Sequence, residues 1–188
     1  MKQQRQLSAV WVAGLILSLA CGSLCAQTAH PLREGWEFFV LGEFKKAAKS
    51  FESVRREAKK GSESHLSALY GLATTFDLAQ SGKDTERATQ LYSEIIQRSP
   101  RSDWAAWSRL ALARMKYLPP SGKEPNRQEV VAGYQSVIEN HPNHPAAQEA
   151  FIYQQALLIA TLEKEEAGKC VAALSQYVEG DALYRSTA

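Results

Sequence analysis

A chain that repeats itself every 41 to 42 residues has few ways to fold. Phe51, Tyr92 and Tyr134 recur at that period, and the positions around them agree: Ala47, Ala88 and Val130 four residues before, Val54, Ile95 and Val137 three residues after. Eight residues beyond each aromatic stand Lys59, Pro100 and Pro142. Steps of four and three place these side chains on one face of a helix, and proline ends it. In an Ala-rich, strand-poor chain, such a period describes stacked helical hairpins that bury their apolar faces against one another.

The punctuation divides the repeats into helices expected at about 31–41, 43–59, 62–80, 84–98, 102–118, 127–140, 145–162 and 164–178. Gly61, Gly82, Gly122 and the prolines interrupt the pattern. Ser62, Asp84, Ser102 and Asn126 supply acceptors for the unpaired amides at the next helix starts, and Asn126 with Glu129 is spaced for a reciprocal cap. The helix over 102–118 is apolar around most of its girth. Trp104, Trp107, Ala111, Met115 and Leu118 form one stripe, and Ala106, Leu110, Ala113 and Tyr117 a second; Arg109 and Lys116 mark the wet side, with Ser108 and Arg114 at its margins. Such a helix must be covered on more than one side.

The column of small residue, aromatic, aliphatic and terminal proline resembles the second helix of a tetratricopeptide repeat (TPR). Gly35, Phe38, Gly42, Phe44, Ala47, Phe51 and Val54 stand at that family's spacing. The family repeat is about 34 residues. Each unit here is therefore longer, and an insert, Pro119 to Pro125, separates two helices. Tyr92 to Ala113 and Tyr134 to Ala156 are similar to the long-helix variety found in exported bacterial envelope proteins of the outer-membrane assembly lipoprotein and Tol-system coordinator type. The resemblance covers residues 31 to about 178. It implies an all-α fold, a right-handed superhelical stack of about four antiparallel hairpins in units of about 31–60, 61–100, 101–142 and 143–178.

Residues 1–26 read differently from the rest. They hold Lys2 and Arg5 but no acid, an apolar run from Leu7 to Ala20, and then small residues. That is the layout of an export signal, with cleavage expected after Ala26 or alternatively after Ala20 or Gly22. The run is 14 residues, short of the roughly 20 that span a bilayer. Cys21 follows Ser18, Leu19 and Ala20, which sets Leu one place off the bacterial lipoprotein pattern, so lipid anchoring at Cys21 is the alternative address. Cleavage after Ala26 leaves 27–188 as one repeat domain with Cys170 as its single thiol and no internal disulfide. It also leaves basic and acidic side chains equal in number. A neutral body argues against nucleic acid as partner.

Chemistry-bearing motifs are sparse. His141-Pro-Asn-His144 is the one close histidine pair, and its prolines place it in a turn with no third ligand set by sequence. Ser-Gly-Lys occurs at 81–83 and 121–123, but Asp77 and Tyr117 stand where a phosphate loop needs glycine, and Asp84 and Glu124 follow the lysines. The basic residues Lys45, Lys46, Lys49, Arg55, Arg56, Lys59 and Lys60 interleave with Glu43, Glu52 and Glu57, which suits intrahelical pairing. Glu165 and Glu166 are adjacent and read as a solvated face. No nucleophile, base and anion hole can be assembled, so no enzyme, cofactor or metal site is expected.

What remains is binding. The family resemblance implies that the first helix of each hairpin lines a concave side that accepts a protein or peptide partner. Carried along the register, it nominates Trp36 and Phe39 in the first unit, Tyr70 in the second, Trp104, Trp107 and Arg114 in the third and Tyr153 in the fourth. Aromatic residues and arginine are what binding hot spots favour. The expectation is an exported scaffold for protein–protein interaction in the bacterial cell envelope, periplasmic or secreted. The alternative is a structural subunit that oligomerises, or caps a larger envelope complex, through the apolar C-terminal segment of Val171, Ala172, Leu174, Tyr177 and Val178. In that case it is lipid-anchored if Cys21 is modified.

Overall fold

The computed structural model describes residues 31–79, 83–117, 124–160 and 164–180. The leader, Cys21, the inserts around residues 81 and 121, and the last eight residues lie outside this set, as does Leu118. The described residues form α1 (Pro31–Val40), α2 (Phe44–Glu57), α3 (Glu63–Leu78), α4 (Thr85–Arg98), α5 (Asp103–Tyr117), α6 (Arg127–Asn140), α7 (Pro145–Ile159) and α8 (Lys164–Gly180), with no strand among them. The all-α expectation holds, and every helix falls where periodicity and punctuation placed it to within about three residues.

Local chemistry sets the ends. The Ser62 side chain accepts from His65 N–H at 3.3 Å, Asp84 from Arg87 N–H at 2.9 Å, and Ser102 from Ala105 N–H at 3.2 Å. Asn126 accepts from the amides of Gln128 and Glu129. Its partnership with Glu129 runs between side chains, Asn126 Nδ2 donating to Glu129 Oε1 at 3.0 Å, rather than through the Asn126 backbone amide of a capping box. One cap was not foreseen: His144 Nδ1 accepts from Ala146 N–H at 3.0 Å at the start of α7. Gly42 turns the chain from α1 into α2 with φ of 74°, the left-handed region that side chains avoid.

Each helix packs on the next, and α1 also touches α3, α3 touches α5 and α5 touches α7. Among the described residues α2, α4 and α6 do not pack on one another. The repeat columns are the core. Ala47, Phe51 and Val54, then Ala88, Tyr92 and Ile95, then Val130, Tyr134 and Val137 are all buried. Phe51 sits between two glycines, because a Cβ added to Gly35 of α1 or to Gly71 of α3 would lie 2.6 Å from its ring. Missing side chains on both flanking helices make room for one ring and draw three helices together.

Helix α5 belongs to two cores. Ala105 and Ala111 join the cluster built on Phe51, Leu69 and Tyr92, while Ala106, Leu110 and Ala113 join the one built on Val130, Tyr134 and Val137. Two margins differ from expectation. Ser108 is fully buried, and Tyr117 is exposed because it lies on the last turn of α5, beyond the reach of the second core.

Overpacking at the Phe51 contact has a defined cost. Gly71→Ala is expected to lower unfolding stability by about 1–3 kcal/mol, the usual range for a methyl forced into a filled core. Gly168→Ala on α8, where an added Cβ meets nothing within 4 Å, is expected to raise it by up to about 1 kcal/mol through helix propensity. Urea denaturation of the two variants checks the opposite signs.

Candidate partner-binding face

The odd-numbered helices carry the aromatic residues nominated from the sequence, and most of them converge. Trp36 packs edge-on to Phe39 at 5.7 Å and to Phe51 at 5.0 Å between ring centres, and lies 6.4 Å from Tyr70. Tyr70 in turn lies 5.3 Å from Trp104. A run of half-buried rings thus crosses α1, α3 and α5. The adjacent odd helices put these rings side by side, one helix spacing apart.

Polar ties lock the same helices. Arg114 donates to Asp77 at 2.6 Å, joining α5 to α3 near their C-terminal ends. Asp77 is 4% exposed and Arg114 40%, so the carboxylate is desolvated and the guanidinium reaches solvent. Burial alone would lower the Arg114 pKa, but the hydrogen bond and charge of Asp77 outweigh it and hold the group above its usual range. At the other end, Trp104 Nε1 donates to Glu63 at 2.5 Å, again joining α5 to α3. Between them Thr74 and Tyr92 share a buried hydroxyl contact of 3.2 Å, and burial pushes the Tyr70 and Tyr92 phenols up.

Arg114 and Tyr153 then open onto a cavity of about 350 Å³ between α5 and α7, walled also by Tyr117, Tyr134 and Leu157. Tyr153 is 42% exposed, and its ring stands 5.9 Å from that of Tyr134. Glu149, one turn before it on α7, together with burial, holds its pKa above the usual range. The cavity is large enough for one apolar side chain, with tyrosine rings for walls and a paired cation at its rim.

Trp107 does not join this run. It points toward the turn between α6 and α7, with its ring edge-on to His144 at 5.4 Å, and packs on the second core. One turn of helix rotates it about 60° from Trp104, enough to send the two indoles to different neighbours. A separate groove of about 690 Å³ runs over α5 between α4 and α6, lined by Ile96, Leu112 and Met115, and holds none of the nominated residues.

Asp77, Glu63, Glu149, Tyr117 and Tyr134 are site residues that sequence reasoning did not nominate. Asp77 left a signal, since an acid within the apolar stretch Leu66 to Leu78 needs a cation. Tyr134 was assigned to the core by its repeat column, and it serves there while its ring also lines the cavity. Tyr117 was placed in the second apolar stripe of its helix, and Glu63 and Glu149 left no signal, being ordinary polar residues on helices.

The histidine pair lies in the α6–α7 turn. Among the described residues no group of three His, Cys, Asp or Glu side chains is placed to hold a metal ion. Cys170 is half-buried and in no disulfide. No helix among the described residues is long and apolar enough to cross a membrane. No family model matches the chain, and neither the curated proteins nor the solved structures contain a match to it.

His141 makes folding pH-dependent. It is 8% exposed, its Nε2 has no hydrogen-bond partner among the described residues, and burial, with Arg109 and His144 nearby and Asp103 opposing, holds its pKa below the usual 6.5. His65 is lowered as well, chiefly by burial. The folded chain therefore binds fewer protons than the unfolded chain once the pH drops below about 6.5. Stability is expected to be full above that pH and to fall as pH decreases through the depressed folded values. Melting temperatures of the parent and His141→Gln between about pH 7.5 and 5 check this; the variant's slope should be the shallower.

Proposed function

We propose that this protein is an exported TPR-like scaffold, a right-handed superhelix of about four antiparallel hairpins. In this reading the odd-numbered helices form its concave side and bind a protein or peptide in the bacterial cell envelope. The single observation that carries the reading is the run Trp36, Tyr70 and Trp104, continued by Arg114 and Tyr153 around an apolar cavity, on helices that touch one another in sequence order. Half-buried aromatic rings held by second contacts are preorganised anchors, because little side-chain entropy is left to lose on binding. The absence of an assembled nucleophile, base and anion hole in the sequence favours binding over catalysis. Residues 1–26 support export, with a soluble periplasmic or secreted form after cleavage and a membrane-tethered form if Cys21 carries lipid.

Site-specific photocrosslinking in intact cells tests the face. A photoreactive side chain at Tyr153 is expected to capture a partner, and one at Thr89, in the groove over α5, is not. Equal capture at both positions would count against the concave face.

A structural role in a larger assembly has its own observation in favour. Val40 and Leu41, at the end of the array formed by α1, are 81% and 71% exposed, and Val171 on α8 at the other end is 49% exposed. Open apolar ends on a repeat array promote association. Sedimentation over a range of concentrations is expected to show growth that Val40→Glu combined with Leu41→Glu suppresses; a monomer throughout would remove this reading.

A further inference from the structure

We infer that the segment docking on the odd-helix face is cationic, carrying Lys or Arg next to an apolar anchor. This rests on the reading of that face as the partner-binding side and goes on to name the partner's chemistry. The cations of the face are already paired: Arg33 with Glu37 at 2.9 Å and Arg114 with the buried Asp77 at 2.6 Å. Two carboxylates are not. Glu63 accepts the Trp104 indole N–H, Glu149 lies one helical turn before Tyr153 on α7, and neither is ion-paired among the described residues.

A neutral N–H or O–H donor orients a carboxylate without cancelling its charge. Glu63 stands beside the ring of its donor, and Glu149 stands one helical turn from the Tyr153 ring. A Lys or Arg arriving there would meet a carboxylate and an aromatic face together, a charge-assisted hydrogen bond reinforced by a cation–π contact. Glu149 is half-buried on α7, the helix that carries Tyr153. The cavity between Arg114, Tyr134 and Tyr153 supplies the apolar half of the recognition. An aliphatic stem from the incoming basic residue would lie along the same tyrosine rings.

An acidic partner finds the opposite. Arg114 has its counter-ion, and withdrawing it would leave Asp77 buried and unpaired, which is costly. Both free carboxylates would repel such a segment. A neutral partner would gain the cavity and nothing from Glu63 or Glu149.

The test uses the purified protein and short end-blocked peptides that share a Leu-Phe core flanked by Lys, Gln or Glu, with affinity read by calorimetry and tryptophan fluorescence. The Lys peptide is expected to bind roughly tenfold more tightly than the Gln peptide, with the Glu peptide weakest and the advantage shrinking as salt is raised. Glu149→Gln and Glu63→Gln should each reduce that advantage, and together abolish it, while circular dichroism stays unchanged. A Gln or Glu peptide that binds as tightly as the Lys peptide overturns the inference. If all three bind equally and Tyr153→Ala releases them, the charge preference fails and the binding face stands. If none binds, or binding ignores Tyr153→Ala, the face itself is wrong and the inference falls with it.

Discussion

The Phe51 ring, held between Gly35 and Gly71, is the contact on which the first half of the molecule depends. A helix normally keeps its neighbour at the distance set by the side chains between them. With no Cβ at either glycine, α1 and α3 close on the same aromatic ring of α2. The ring contacts Trp36 as well, so the placement of an aromatic residue on the odd-helix side follows from a core contact. Tyr92 performs the same service one repeat on, where its hydroxyl meets Thr74 and its ring meets Tyr70. Tyr134 does so against Tyr153. The repeat column and the run of rings on the odd helices are thus two ends of one packing arrangement.

Helix α5 extends that arrangement from one core to the next. Small side chains on two of its sides let it approach α4 and α6 closely; at Gly133 on α6, an added Cβ would come within 3.0 Å of the Ala113 Cβ. Its longer residues then become available for ties to other helices. Trp104 and Arg114 anchor it to α3 at both ends, which holds the odd helices in register and leaves Glu63 oriented by a neutral donor. Electrostatic character on this face follows from which partners the fold has already supplied: Asp77 takes up the arginine, and among the described residues no cation takes up Glu63 or Glu149. A net charge near zero for the body conceals that local imbalance.

Much of the fold was legible in the chain. Helix limits followed from caps such as Ser62 and Asp84, from prolines at 100 and 142, and from the spacing of Ala88, Tyr92 and Ile95. The grouping of side chains on the odd helices was legible in part. Trp36, Tyr70 and Trp104 came together as the register implied, and Arg114 with Tyr153 did too, while Trp107 turned toward His144. Asp77 was visible as an anomaly, an acid in an apolar helix, without its partner being identifiable.

The sequence by itself determined that the described residues are helical, where each helix lies to within about three residues, and that the repeat columns of α2, α4 and α6 are buried. Those are consequences of interactions within four residues along the chain, which a reader can count. The tertiary structure alone decided that Arg114 meets Asp77, 37 residues away, and that Trp104 meets Glu63, 41 residues away. It also decided that two tryptophans one helical turn apart face different neighbours. Such pairings depend on how far and at what angle packed helices approach. That geometry is set by the small residues and glycines between helices, whose effect is felt in space and leaves no period in the sequence.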